Sequence, residues 1–129
     1  MAESNEQSPL DLGKRGEEAA CRYLQCHGYE ILERNWKCPA GEADIIATDY
    51  QNLVFVEVKT RSGVEKGLPE ESVTPKKRKR YEGIACYYMK ESPVMDIRVR
   101  FDVIGITVNG DRAMMRHHID AFRFDECRS

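Results

Sequence analysis

The sequence predicts an α/β domain in the order helix, three strands, helix, two strands. Three observations carry this reading: two stretches with apolar residues at helical spacing between capping signals, five runs with strand-like patterning, and turn-forming residues between them. With 129 residues and no internal repeat or linker-like tract, a single domain is expected over residues 11–125, after a polar, disordered segment 1–10.

Asp11 reads as the N-cap of a first helix from about residue 12 to 27, with Gly28 just past its end. Leu12, Ala20, Tyr23, Leu24 and His27 recur at helical spacing. Glu17 projects from the edge of that stripe, because Ala20, Cys21 and Leu24 follow it at helical intervals; Glu18, four residues before Arg22, suits the solvent side. Gly13 and Gly16 each cost about 1 kcal/mol relative to alanine inside a helix, which implies a close approach to the backbone there. YEILERNW (29–36) is patterned as a strand and CPAG (38–41) as a turn. GEADIIATDYQNLVFVEVKTR (41–61) then reads as a β-hairpin about the polar turn DYQN (49–52), followed by a basic loop 61–72. Thr74 and Pro75 fit the N-cap and first residue of a second helix running to about Met89, before Pro93. Tyr81, Ile84, Ala85 and Tyr88 form its apolar face, and Tyr87 falls on its surface. RVRFDVIGITV (98–108) is a strand, Asn109-Gly110 a turn, and a final strand lies near 111–118.

The hairpin carries charges where strand interiors rarely do. If it closes symmetrically, Thr48 faces Leu53, Ile46 faces Phe55, Asp44 faces Glu57 and Lys59 faces Glu42. Like charges directly opposed on a sheet are destabilising. The other face, with Ala43, Ile45, Ala47, Val54, Val56 and Val58, is wholly apolar, as expected of a core surface covered by helices. Opposed carboxylates are tolerated if they share a proton, pair with Lys59 or bind a divalent cation. Mg²⁺ fits the last option, since it takes one or two carboxylates and keeps waters and a phosphate oxygen in its shell. The bland alternative is a surface cluster in which Lys59 bridges Asp44 and Glu57.

Charge is unevenly spread. The net charge is -2, yet residues 57–80 hold eight bases against four acids. Any nucleic-acid contact must therefore come from a local patch. Thr60 and Arg61 offer groups suited to phosphate. Lys76, Lys77, Arg78, Lys79 and Arg80 fall in the first turns of the second helix, where its dipole disfavours cations and an anion would be welcome. Otherwise the run is a solvated helix end. Five cysteines without a CxxC pair suggest reduced thiols in a cytoplasmic protein. No secretory h-region or membrane-length apolar run is present, so no membrane partner is expected. Asp102 has apolar neighbours and either supports the site or pairs with Arg98 or Arg100. His117 and His118 alternate across a strand, so at most one faces any given site.

Taken together, Asp44 followed by Glu57-Val58-Lys59 across a hairpin resembles the PD-(D/E)xK nuclease superfamily. More closely, GKRGEEAACRYLQCHGYEILERNW, GEADIIA, VFVEVKTR, LPEESVTPKKRKR and RFDVIGI resemble the YraN-like uncharacterised family of bacteria, whose fold is related to archaeal Holliday-junction resolvases. Ala43 stands where that family usually has a larger apolar residue. The resemblance implies a restriction-endonuclease-like core, with a mixed sheet of about five strands flanked by helices. It also implies a phosphodiesterase site using Mg²⁺ or Mn²⁺. Asp44 and Glu57 would be direct ligands, the Val58 carbonyl a backbone ligand, and Glu17 an outer or second-metal ligand. Lys59 would orient the attacking water. The function so implied is an endonuclease acting on DNA, including branched or repair intermediates, in a homodimer like the resolvases. The alternatives are a nucleic-acid binder that keeps the fold without catalysis, or an interaction protein outside nucleic-acid biology.

Overall fold

The computed structural model describes residues 9–63, 67–92 and 97–122. The elements are α1 (Pro9–Cys26), β1 (Glu30–Cys38), β2 (Gly41–Thr48), β3 (Asn52–Ser62), a 3-10 helix (Pro69–Ser72), α2 (Pro75–Glu91), β4 (Arg98–Asn109) and β5 (Arg112–Phe122). The five strands form one sheet in chain order. All neighbours are antiparallel except β3 and β4, which run parallel. Parallel neighbours need a crossover, and the 3-10 helix and α2 supply it. This is the expected α-β-β-β-α-β-β order with a mixed sheet between helices.

The elements differ from the expected ones chiefly at their ends. α1 starts at Pro9, three residues before the expected start. Proline suits the first helical turn, so Asp11 lies inside that turn, favourably placed at the dipole, instead of capping it. Apart from residues 9 and 10, which are helical, the expected disordered segment lies outside the described residues, as do Pro93 and the expected domain end at 125. At the other end Gly28, with φ +91°, closes α1 as anticipated. The Tyr29 N–H donates to the Leu24 carbonyl at 3.0 Å and the Gly28 N–H to that of Gln25 at 3.2 Å, which satisfies two end carbonyls. The basic loop shortens, because β3 runs on through Ser62 and Pro69–Ser72 forms a helical turn. β5 continues four residues past its expected end, where Phe122 stacks on Phe101 with ring centres 4.9 Å apart.

Each face of the sheet is covered. α1 packs Ala20, Cys21 and Leu24 on Ile45, Ala47, Val54, Val56, Val58 and Ile104. α2 packs Tyr81, Ile84, Ala85 and Tyr88 on Ile46, Leu53, Phe55 and Phe101. The hairpin face that bears the charges is therefore also a core face over most of its length. Ala43 joins the α2 side, not the α1 side that strict alternation assigned to it.

Gly16 is the close approach that α1 needed. A Cβ there would overlap the Thr60 hydroxyl, whereas the same atom at Gly13 would meet nothing. Gly16→Ala should thus destabilise the fold by about 1–3 kcal/mol through overpacking, although alanine is the better helix former. Urea denaturation of Gly16→Ala, Thr60→Ala and the pair tests this. The double variant should recover most of the loss, and additive losses would discount the contact.

Candidate metal and phosphate site

β2 and β3 pair from Thr48–Leu53 to Ile45–Val56, and there the ladder ends. The expected opposition of Asp44 to Glu57 and of Glu42 to Lys59 is therefore not a continued ladder. Instead the strands part, and the Asp44 carboxylate fills the gap by accepting the Val58 N–H at 2.8 Å. Glu57 comes from the neighbouring residue of β3 and is only 9% exposed. Its Oε1 accepts the Tyr81 hydroxyl at 2.6 Å, and Lys59 Nζ lies 3.5 Å from its Oε2. The same Tyr81 oxygen accepts the Asp44 N–H at 3.4 Å. One phenol from α2 thus ties together both acidic residues.

Burial, and then the charge of Glu57, raise the Asp44 carboxyl to about 8; Glu17 adds to this, while the Val58 N–H and Lys59 oppose it. Two half-dehydrated carboxylates cannot both ionise cheaply at one point. Glu17 reaches the neighbourhood from α1, where Asn35 Nδ2 donates to its Oε1 at 3.1 Å. Asn35 holds a positive φ of 51°, which asparagine tolerates better than most residues. Tyr81 and Asn35 are the two supporting residues that sequence patterning missed. Tyr81 lies on the apolar face of α2, as its spacing predicts, and only its position four residues after Lys77 hints at more.

The remaining candidates divide by direction. Arg61 follows Glu57 and Lys59 by strand alternation onto the same face and is half-buried. Thr60 points the opposite way. Its hydroxyl is buried under α1 without a hydrogen-bond partner, turned away from the carboxylates. In the basic run, Thr74 caps α2 by accepting the Lys77 N–H at 3.3 Å. Lys76, Arg78, Lys79 and Arg80 are exposed, whereas Lys77 is half-buried. The Arg80 stem lies over Gly41, and the Arg78 guanidinium sits 5.6 Å from the centre of the Phe122 ring. Lys77 lies close to Lys59, and that neighbouring cation, then burial, lowers its pKa while Glu57 pulls the other way.

A second polar cluster lies apart from these groups. Asp102 is fully buried and accepts Arg100 Nε at 2.9 Å and Nη2 at 2.8 Å, His117 Nε2 at 2.7 Å and the Asp120 N–H at 2.9 Å. His117 Nδ1 in turn lies 2.9 Å from the Tyr23 hydroxyl. The ion-pair role expected with Arg100 is thus what Asp102 performs. His118 faces the other side of the sheet, 2.9 Å from Glu70, which also binds Arg116.

The donor set suits a hard divalent ion. Among the described residues no three His, Cys, Asp or Glu side chains gather as a closed metal set. A buried and a half-buried carboxylate with a neighbouring backbone are what Mg²⁺ accepts when it retains waters. No helix among the described residues is long and apolar enough to cross a membrane.

Similarity to known proteins points to one family. The sequence model described as uncharacterised protein family UPF0102 matches residues 16–106. A UPF0102 protein of Rhodococcus opacus is 46% identical over 114 residues, covering 88% of this chain and 97% of that protein. One from Syntrophomonas wolfei is 43% identical over 112 residues, covering 87% and 97% respectively. A third, from Syntrophotalea carbinolica, is 41% identical over 116 residues, covering 90% and 94%. The matched segment holds Glu17, Asp44, Glu57, Lys59 and Tyr81 alike, and the chain belongs to the UPF0102 family.

Proposed function

We propose that this protein is a metal-dependent endonuclease of the PD-(D/E)xK superfamily that hydrolyses phosphodiester bonds in DNA. The observation that supports it is the parting of β2 and β3 at Asp44 and Glu57, with Lys59 3.5 Å from Glu57 and both acids tied to Tyr81. A strand break filled by a carboxylate, beside a second one, has no evident stabilising purpose; as a cation site it has one.

Asp44 and Glu57, with the Val58 carbonyl and Glu17 farther out, would hold Mg²⁺ or Mn²⁺, which when bound polarises a phosphoryl oxygen and acidifies a water. Lys59 then orients the attacking water through its ammonium and offsets the charge that develops on the phosphoryl oxygens. In the net step the water oxygen bonds to phosphorus, the bond to one ester oxygen breaks, and a water proton ends on the leaving oxygen. Arg61 and the exposed cations of α2 hold the strand backbone without reading its sequence. Branched or repair intermediates are the proposed substrates, with two copies of the chain acting together in the cytoplasm.

The test is cleavage of supercoiled, single-stranded and four-way-junction DNA with Mg²⁺ or Mn²⁺ by wild type, Asp44→Ala and Glu57→Ala. Cleavage that survives both substitutions rules out this site. Salt-sensitive DNA binding that ignores chelators, with no cleavage, would instead favour a binder that keeps the fold. Tyr81→Phe should lower Mn²⁺ affinity by about 10–100-fold, because groups that orient ligands matter nearly as much as the ligands themselves. Calorimetry checks this, and unchanged affinity would confine Tyr81 to packing.

A further inference from the structure

We infer that Lys77 is a catalytic residue that, paired with Lys59, grips the reacting phosphoryl group, unlike the other cations of its run, which touch only the backbone of the strand. This rests on the reading of the site as a phosphodiesterase.

Lys77 differs from its neighbours in where it points. Lys76, Arg78, Lys79 and Arg80 are exposed, and Lys77 alone of the five is half-buried. Tyr81 follows it by four residues, so both lie on one face of α2, one turn apart. Since the Tyr81 hydroxyl is bonded to Glu57, that face looks directly onto the acidic pair. The Thr74 side chain accepts the Lys77 N–H, which fixes the first turn from which the side chain departs.

The Lys77 amine lies close to that of Lys59, and Glu57 acts on both. Charged amines carry donors and no acceptor, so two of them side by side call for an anion in contact with both. Glu57 does not fully meet that need. One of its oxygens is taken by Tyr81, and the other lies 3.5 Å from Lys59. A phosphodiester supplies the missing acceptor. It carries two non-bridging oxygens with shared negative charge, so one can face each amine. Charge on those oxygens grows as water adds, and a second cation aimed at them lowers the barrier more than it aids binding.

The experiment compares wild type, Lys77→Met, Lys77→Arg, Lys79→Met and Asp44→Ala in Mn²⁺-supported cleavage of a labelled oligonucleotide. Lys77→Met should lower kcat by about 100-fold with little change in KM, and Lys77→Arg should recover part of it. Lys79→Met should act mainly on KM. Equal kcat for Lys77→Met and wild type overturns the inference while leaving the nuclease reading intact. Cleavage by Asp44→Ala overturns that reading itself. A second measurement needs no turnover: inorganic phosphate should raise the Tm of the metal-free wild type and of Lys79→Met, but not of Lys77→Met. Equal shifts in all three would overturn the paired-amine site even if no substrate is cut.

Discussion

Asp44→Asn should abolish metal-dependent cleavage, by about 10³-fold or more, and at the same time make the metal-free protein more stable above neutrality. The two effects share one cause. In the folded chain the Asp44 carboxyl is raised to about 8 by burial and by Glu57; in an unfolded chain an aspartate titrates at about 3.9. Between those values the folded state binds a proton that the unfolded state has lost, so stability falls as pH rises from about 4 to 8. Asparagine keeps an acceptor for the Val58 N–H and carries no charge to bury. Allowing for screening of this half-buried group beside a second acid, the gain should be roughly 1–3 kcal/mol at pH 8 and near zero at pH 4. Thermal melts of both proteins without metal, from pH 4 to 9, measure it. A wild type as stable as the variant at pH 8 would mean that the two acids do not crowd each other. Added Mn²⁺ should reverse the order, by stabilising wild type and not Asp44→Asn.

The second large effect belongs to stability alone. Asp102→Ala should cost about 3–5 kcal/mol, because it strips a buried ion pair of one partner. Arg100 would keep the Tyr29 hydroxyl at 2.6 Å and Asp49 at 3.7 Å, but its bidentate acceptor would be gone. His117 and the Asp120 N–H would lose their acceptor as well. Burial alone would raise the Asp102 carboxyl, but the donors from His117, Arg100 and Asp120 outweigh it and hold it below its ordinary value. Its stabilisation is therefore present above about pH 4 and lost as pH falls below that. Denaturation in urea at pH 7 and pH 3 should show a wide gap between wild type and Asp102→Ala at the first and a narrower one at the second. A loss under 1 kcal/mol at pH 7 would mean that the cluster relaxes around the missing carboxylate. The contrast with Asp44 is instructive. Asp102 has four donors and is held ionised, whereas Asp44 has one backbone donor and an acidic neighbour and is not.

The linear sequence determined the order of elements, the Gly28 stop of α1, the Thr74 and Pro75 start of α2 and the close approach at Gly16. Each of these follows from the steric and hydrogen-bonding limits of a few adjacent residues. It also named Asp44, Glu57 and Lys59 as one group, because strand alternation and a short turn leave little freedom in which side chains meet. Tertiary structure alone decided that β2 and β3 separate at the acids, that Tyr81 spans them, that Asn35 holds Glu17, and that Thr60 turns under α1 while Lys77 turns inward. Those outcomes depend on how α1 and α2 pack across a twisted sheet, and contacts between residues tens of positions apart leave no periodic trace in the chain.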